Sequence, residues 1–163
     1  MRMFEKENFR NRFLDYFEEF KKVVTTDDNE WVVKGFIDIY KNIYTISLDT
    51  KVISKIIELM LFPTVLKFAS EYNYKVLPTK YQNYYPDMTF ITENNEKIAV
   101  DLKSTYYKNK DTVNGFTLGS FTGYFRNRDS TKNILFPYNE YSAHYVLGVV
   151  YKRTEHDIDE YKK

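Results

Sequence analysis

The residues best suited to chemistry form two short acidic motifs. Pro86-Asp87 is followed, after thirteen residues, by Asp101-Leu102-Lys103. Successive side chains of a β-strand point to opposite faces, so Asp101 and Lys103 project together if this segment is extended. A turn between two strands would bring Asp87 beside Asp101. Two close carboxylates repel each other unless a cation lies between them, and such an all-oxygen site suits Mg²⁺, with Lys103 placed to orient water or stabilise charge on phosphorus.

The same residues also fit a purely structural explanation. An aspartate that follows a proline at the start of a strand is a common turn, and Asp-x-Lys on one strand face is compatible with a surface ion pair. Glu58 favours the chemical interpretation because it interrupts the apolar run from Ile56 to Met60 and can face the same cleft. It can equally lie on the solvated edge of its helix. The residues alone leave both interpretations open.

Hydrophobic spacing predicts the elements that position these motifs. Apolar residues at three- and four-residue intervals predict one helix over about residues 4–24 and a second that starts at Asp49-Thr50 and is kinked or interrupted at Pro63. Alternating segments predict a small antiparallel β-ribbon over residues 31–46. They also predict strands over 74–77, 87–92 and 97–106, a loop over 107–115 and a central strand over 143–151. These elements together indicate an α/β fold with a central mixed sheet flanked by helices, in a single domain over residues 1–163.

Composition excludes several classes of protein. The chain has no cysteine, which excludes disulfide scaffolds, thiol nucleophiles and cysteine-based zinc sites. Its two histidines, His144 and His156, are too few for most histidine metal clusters, so any metal site must be built from carboxylates. His144 lies in an apolar strand and is expected to be a core residue. No stretch approaches the roughly 20 apolar residues of a membrane helix, and no secretion signal is evident, so we expect a cytoplasmic protein without a membrane partner. A net charge of +1 means that contact with nucleic acid would depend on local Lys and Arg.

Between Trp31 and Arg153, about three quarters of the chain, several longer motifs follow one another in an order and spacing that match a known family. They are Asp49-Thr50-Lys51-Val52, Ile57-Glu58-Leu59, Gln82-Asn83-Tyr84-Tyr85-Pro86-Asp87, Ile98-Ala99-Val100-Asp101-Leu102-Lys103, Phe116-Thr117-Leu118-Gly119, Arg126-Asn127, Thr131-Lys132-Asn133 and Ala143-His144. In order and spacing these motifs resemble the EcoRV family of type II restriction endonucleases, which have the PD-(D/E)xK nuclease fold.

The resemblance implies a site-specific deoxyribonuclease of a restriction-modification system. Such an enzyme cleaves double-stranded DNA with Mg²⁺ as its cofactor and leaves a 5′-phosphate and a 3′-hydroxyl. By resemblance, Asp87 and Asp101 hold Mg²⁺, and Lys103 assists the attacking water. Glu58 is the auxiliary acid on the helix, with a catalytic and metal-binding role.

The same resemblance implies DNA contacts and a second subunit. Gln82 and Asn83 match a loop that approaches DNA from the minor-groove side. Residues 31–46 match the dimerisation element of the family, and a homodimer follows because cleaving both strands of a palindrome requires two sites related by a two-fold axis. The positions matched to the phosphate backbone are Thr50, Lys51, Thr105 and Lys132.

Some features depart from the family pattern. Tyr84 stands where the family has histidine, the turn between the catalytic strands is slightly shorter, two residues are added near Asp129, and the first helix matches weakly. Family members continue well past the strand that ends near Lys152, into a loop that reads base edges, so we expect this chain to be a catalytic core without that loop. Two alternatives remain. One is a fragment that binds DNA or dimerises without cleavage, and the other is a repair or junction-resolving nuclease of the same fold.

Overall fold

The structure is a computed structural model that describes residues 2–45, 50–79, 81, 83–117 and 121–152. Among these residues, no helix combines the length and apolar character needed to cross a membrane. The elements in chain order are α1 (Arg2–Asp15), α2 (Phe17–Val24), β1 (Gly35–Ile37), β2 (Ile43–Thr45), α3 (Thr50–Glu71), β3 (Lys75–Pro78), β4 (Met88–Ile91), β5 (Lys97–Asn109), β6 (Thr112–Val113), α4 (Phe121–Arg126), a 3₁₀ turn (Tyr138–Glu140) and β7 (Tyr141–Tyr151).

The first helical region divides at Tyr16, where the spacing predicts a single helix over residues 4–24. The backbone of Tyr16 has φ −85° and ψ 1°, outside the regular helical region. The prediction is wrong because α1 and α2 both pack on α3, which requires a change of direction that local spacing does not encode. The ring of Phe68 on α3 contacts four rings of this region: Phe9 and Phe13 of α1, Tyr16 at the break and Phe20 of α2.

The predicted β-ribbon is present but is shorter than residues 31–46. Strands β1 and β2 pair antiparallel. The Asp38 carboxylate accepts hydrogen bonds from the backbone N–H groups of Tyr40 and Asn42, at 2.8 and 2.9 Å, and so closes the turn between them. Trp31 pairs with Thr25 in an isolated bridge and therefore lies outside the ribbon. The last residue of the predicted range lies outside the described residues.

Helix α3 runs from Thr50 to Glu71 and passes through Pro63. A proline in a helix interior removes one backbone N–H and leaves the carbonyl four residues earlier without its usual partner. That carbonyl belongs to Leu59, whose side chain is largely exposed, so this side of the helix faces solvent that can hydrate the carbonyl. The predicted interruption is therefore absent. The predicted cap residue Asp49 lies outside the described residues.

A mixed five-stranded sheet carries the predicted catalytic strands. Strands β3, β4, β5 and β6 are antiparallel to their neighbours, whereas β7 runs parallel to β5. Helices cover the sheet, since Phe9 of α1 and Phe68 of α3 are buried with Phe90 of β4 and Val100 of β5 in one core. The prediction of an α/β fold with a mixed central sheet flanked by helices is confirmed.

Two details of the strand predictions are wrong. Strand β5 continues to Asn109 and turns back into β6, so the predicted loop over residues 107–115 begins with a short hairpin. Asn109 Oδ1 accepts a hydrogen bond of 3.0 Å from the Asp111 backbone N–H within that turn. Among the described residues β7 pairs with β5 alone, so within them it lies at the edge of the sheet and not at the predicted central position. Its apolar character reflects alternate residues, such as Leu147 and Val149, that pack against the main core.

Candidate active site

The hairpin of β4 and β5 brings the two predicted aspartates together. Its register pairs Met88 with Val100, so one step further along both strands Asp87 meets Asp101. Asp87 Oδ2 accepts a hydrogen bond of 2.7 Å from the backbone N–H of Leu102, which holds this carboxylate against β5. The structure therefore has the hairpin geometry that the two motifs predict.

Asp101 and Lys103 share one face of β5, as strand alternation predicts. Asp101 is only 3% exposed, and its Oδ2 forms an ion pair with Lys103 Nζ. The same oxygen is buried and accepts no hydrogen bond among the described residues. A buried carboxylate without hydrogen bonds is costly unless a positive charge compensates it. Lys103 supplies such a positive charge.

The pKa of Asp87 also reflects repulsion between the two carboxylates of the site. Burial raises it from 3.8 to about 6, and the nearby Asp101 carboxylate adds to the shift. The Leu102 hydrogen bond and the Lys103 ammonium act in the opposite direction without cancelling it. A cation held between the two carboxylates would offset this repulsion. The electrostatics of the pair therefore favour cation binding.

A cleft of about 1280 Å³ opens beside this pair, between α3 and the sheet. Glu58 lines it, so the helix acid faces the same cleft as Asp87. The Glu58 carboxylate is nevertheless engaged, since its Oε2 lies 2.6 Å from Lys55 Nζ. The cleft unites most of the predicted site, namely Thr50, Lys51, Glu58, Asp87, Lys103 and Thr105.

The other predicted DNA contacts are not gathered at this cleft. Asn83 and Lys132 are exposed but do not line it, and Gln82 lies outside the described residues. Thr105 lines the cleft, yet its hydroxyl already donates a hydrogen bond of 2.8 Å to the carbonyl of Asn114. The predicted catalytic residues therefore lie together at or beside the cleft, whereas the predicted DNA contacts are only partly gathered there.

The donor set of the site fits Mg²⁺. This ion is usually held by one or two carboxylates, with water and substrate phosphate completing its octahedron. Asp87 and Asp101 provide two such carboxylates, and the buried Oδ2 of Asp101 has the Lys103 ammonium beside it but no hydrogen bond among the described residues. Across the described residues, no three Asp, Glu, His or Cys side chains come close enough together to enclose a metal ion. Asp87 and Asp101 are thus a pair of carboxylates that could hold the ion, whereas Glu58 is paired with Lys55.

A hydrogen bond that the sequence patterns do not predict joins the segment before Asp87 to β7. The buried Tyr85 hydroxyl lies 2.7 Å from His144 Nδ1. The Tyr85 backbone is also held, because its N–H donates to Asn133 and its carbonyl accepts from Leu135, both at 2.9 Å. Burial lowers the pKa of His144 to about 4, so the ring is neutral at neutral pH. The expected core histidine is therefore also an anchor for the chain two residues before Asp87.

Tyr85→Phe is expected to cost about 1–2 kcal/mol in the free energy of unfolding and to weaken Mn²⁺ binding at the site. The change leaves a half-buried imidazole nitrogen without its partner and loosens the segment that positions Asp87. Tyr16→Phe is the matched control, because the buried Tyr16 hydroxyl bonds to Glu71 at 3.0 Å on another part of the fold. Urea unfolding and calorimetry with Mn²⁺ measure both effects. If the two variants bind Mn²⁺ equally well, the hydrogen bond between Tyr85 and His144 stabilises the fold but does not position Asp87 for metal binding.

Comparison with known proteins agrees with this geometry. Residues 27–163 match the family described as restriction endonuclease EcoRV. The chain belongs to the EcoRV restriction endonuclease family. Within it, the chain is similar to the type II restriction enzyme EcoRV of Escherichia coli, with 42% identity over 130 residues, which cover 78% of this chain and 52% of the relative. The chain thus spans about half the length of this relative, and the resemblance predicted from its motifs is confirmed.

Two features of the site are not predicted from the sequence although they lie within the range that matches the EcoRV family. One is the place of Lys55 beside Glu58, and the other is the bond to Tyr85 of His144, which is predicted only as a core residue. Lys55 had a local signal, since residues three apart on a helix are neighbours and it precedes Glu58 by three. The bond between His144 and Tyr85 has no local sequence signal, because 59 residues separate the two in the chain.

Proposed function

We propose that this chain is the catalytic part of a Mg²⁺-dependent type II restriction endonuclease that hydrolyses double-stranded DNA. One observation carries the proposal. Asp87 and Asp101 are brought together by the strand register, with Lys103 on the same strand face as Asp101, in a chain of the EcoRV restriction endonuclease family. The charged cleft beside them supports an extended, phosphate-bearing substrate.

In the proposed mechanism, Asp87 and Asp101 would hold Mg²⁺, which would supply a Lewis acid for a phosphate oxygen and lower the pKa of a bound water. Lys103 orients the attacking water and stabilises the negative charge that develops around phosphorus. Water forms the new bond to phosphorus as the bond to the 3′ oxygen breaks. The proton lost by the water is balanced by protonation of the leaving oxygen, so the products are a 5′-phosphate and a 3′-hydroxyl.

The proposed DNA contacts combine the cleft with the family resemblance. Thr50 and Lys51 begin α3 at the edge of the cleft, where a backbone N–H, a hydroxyl or an ammonium can meet a phosphate. The remaining assignments rest on the resemblance: Gln82 and Asn83 for the minor-groove side, and Thr105 and Lys132 for the phosphate backbone.

We further propose that the chain forms a homodimer through the ribbon of residues 31–46. Apolar side chains on this ribbon are strongly exposed, with Ile39 at 88%. A cluster of exposed apolar residues on a short hairpin favours burial against another surface. A two-fold dimer would bury the same residues from each copy and supply one active site for each DNA strand. The exposed residues concerned are Phe36, Ile37, Ile39, Tyr40, Ile43 and Tyr44.

Supercoiled plasmid incubated with the purified chain is expected to be cut in Mg²⁺ and to stay intact with a chelator. Linear products with closely placed breaks would support a dimer that cuts both strands, whereas nicked circles alone would contradict the dimer while supporting the active site. Religation of the products by a DNA ligase checks for 5′-phosphate and 3′-hydroxyl ends.

Other outcomes of this experiment distinguish the alternatives. Retention of DNA without strand breaks, at any Mg²⁺ concentration, would overturn cleavage and support a binding or dimerising fragment. Preferential cutting of branched or mismatched DNA over a linear duplex would instead favour a repair or junction-resolving nuclease.

A further inference from the structure

Two of the acids at the candidate active site are each paired with a lysine. Lys103 pairs with Asp101 on β5, and Lys55 pairs with Glu58 on α3. Both lysines line the cleft. A metal ion that enters this site therefore competes with cations that belong to the protein itself.

Lys55 is placed to act on both the helix acid and the strand acid. It lies three residues before Glu58 on α3, and its Nζ is 2.6 Å from Glu58 Oε2. The Glu58 hydrogen bond is the largest cause of a raised pKa for Lys55, and the Asp87 carboxylate contributes to the same shift. The ammonium therefore lies in the field of both carboxylates.

We propose that Lys55 is an internal competitor for the divalent cation, which keeps Glu58 from serving as a third carboxylate ligand and so sets the metal affinity of the site. The proposal rests on the proposed function, since it takes Asp87 and Asp101 as the metal-binding pair. It explains why Glu58 faces the cleft while the described residues contain no group of three potential ligands around one point. Glu58 becomes available to the cation only when the Lys55 side chain moves away.

Lys55 can be replaced with little effect on folding. Its side chain is 66% exposed, and exposed ion pairs contribute little to stability. Methionine suits a helix as well as lysine does. Removing one positive charge near the cation, and releasing a carboxylate toward it, is expected to tighten binding by about fivefold at moderate salt.

The experiment is calorimetric titration of the full chain with Mn²⁺ alone. Lys55→Met is expected to bind Mn²⁺ about fivefold more tightly than the wild type. Lys67→Met is the matched control, because Lys67 lies on the same helix, is 61% exposed and pairs with Glu71 at 3.8 Å without lining the cleft. Its affinity for Mn²⁺ is expected to equal that of the wild type.

A double-mutant cycle tests whether Glu58 is the released ligand. Glu58→Gln removes one negative charge in either background, but in the Lys55→Met background it also removes a ligand. The loss of Mn²⁺ affinity is therefore expected to be about fivefold larger with Lys55→Met than with Lys55 present. Equal losses in the two backgrounds would overturn the inference, and so would a Lys55→Met variant that binds like Lys67→Met.

Asp87→Asn separates this inference from the proposed function. If the wild type binds Mn²⁺, Asp87→Asn abolishes binding and Lys55→Met changes nothing, the metal site stands and only the role of Lys55 fails. If neither the wild type nor Lys55→Met binds Mn²⁺, both fail. Binding that emerges only in Lys55→Met would support the competitor role directly.

Discussion

Asp101→Asn is expected to slow Mg²⁺-dependent DNA cleavage by roughly 10³-fold or more, equivalent to about 4 kcal/mol of transition-state stabilisation. The substitution keeps the size of the side chain but removes the charge that holds the cation and pairs with Lys103. It also places an amide beside that ammonium, where the –NH₂ group cannot replace a carboxylate oxygen as an acceptor. DNA binding is expected to persist, because removing a buried negative charge beside the cleft does not weaken contacts to phosphate.

Asp111→Asn is the control for this change. Asp111 carries the same side chain, but it lies in the exposed turn after β5 and contributes no atom to the cleft. Cleavage rates, thermal unfolding and DNA retention measured on both variants separate chemistry from folding. Cleavage by Asp101→Asn within tenfold of the wild type, in preparations free of contaminating nuclease, would remove Asp101 from the proposed mechanism.

The catalytic hairpin was predictable from the sequence because its determinants are local. Strand alternation places Asp101 and Lys103 on one face, and a turn of a few residues returns the chain to Asp87. The same applies to the start of α3, which is predicted at Asp49-Thr50 and observed at Thr50. Predictions that depend on neighbours within a few residues therefore describe the molecule well.

The features that were not predicted depend on contacts between distant parts of the chain. The break at Tyr16 arises because α1 and α2 must both pack around Phe68, which is more than fifty residues away in the sequence. The bond between Tyr85 and His144 joins the catalytic segment to a strand that pairs with β5 in parallel. No local pattern encodes such pairings, although both affect how the site is held.

The sequence motifs also do not reveal which acids of the site are paired with lysines. The sequence leaves open whether Glu58 faces the cleft of Asp87 and Asp101, and the family resemblance implies that all three acids bind metal. In the structure Glu58 is paired with Lys55, and Asp87 and Asp101 carry the unrelieved repulsion. The net charge of the chain does not reveal this distribution of lysines, which pairs Lys55 with Glu58 and Lys103 with Asp101.

Asp87→Asn is expected to stabilise the metal-free protein at mildly alkaline pH by about 2–3 kcal/mol, while abolishing its response to Mg²⁺. Burial and the Asp101 carboxylate raise the pKa of Asp87 from 3.8 to about 6 in the folded state. An acid whose pKa is raised by folding binds its proton more tightly in the folded than in the unfolded chain. The free energy of unfolding therefore falls as pH rises from about 4 to about 6 and stays low above that window.

Asparagine removes this charge and can still accept the Leu102 hydrogen bond through its amide oxygen. The gain in stability should therefore vanish below about pH 4, where the wild-type carboxyl is protonated in both states. Urea unfolding of the wild type, Asp87→Asn and Asp111→Asn across this range, with a chelator present, measures the effect. Parallel pH profiles for the wild type and Asp87→Asn would contradict it. Mg²⁺ should stabilise the wild type most above about pH 6, because the repulsion that costs the metal-free fold stability is what the cation relieves.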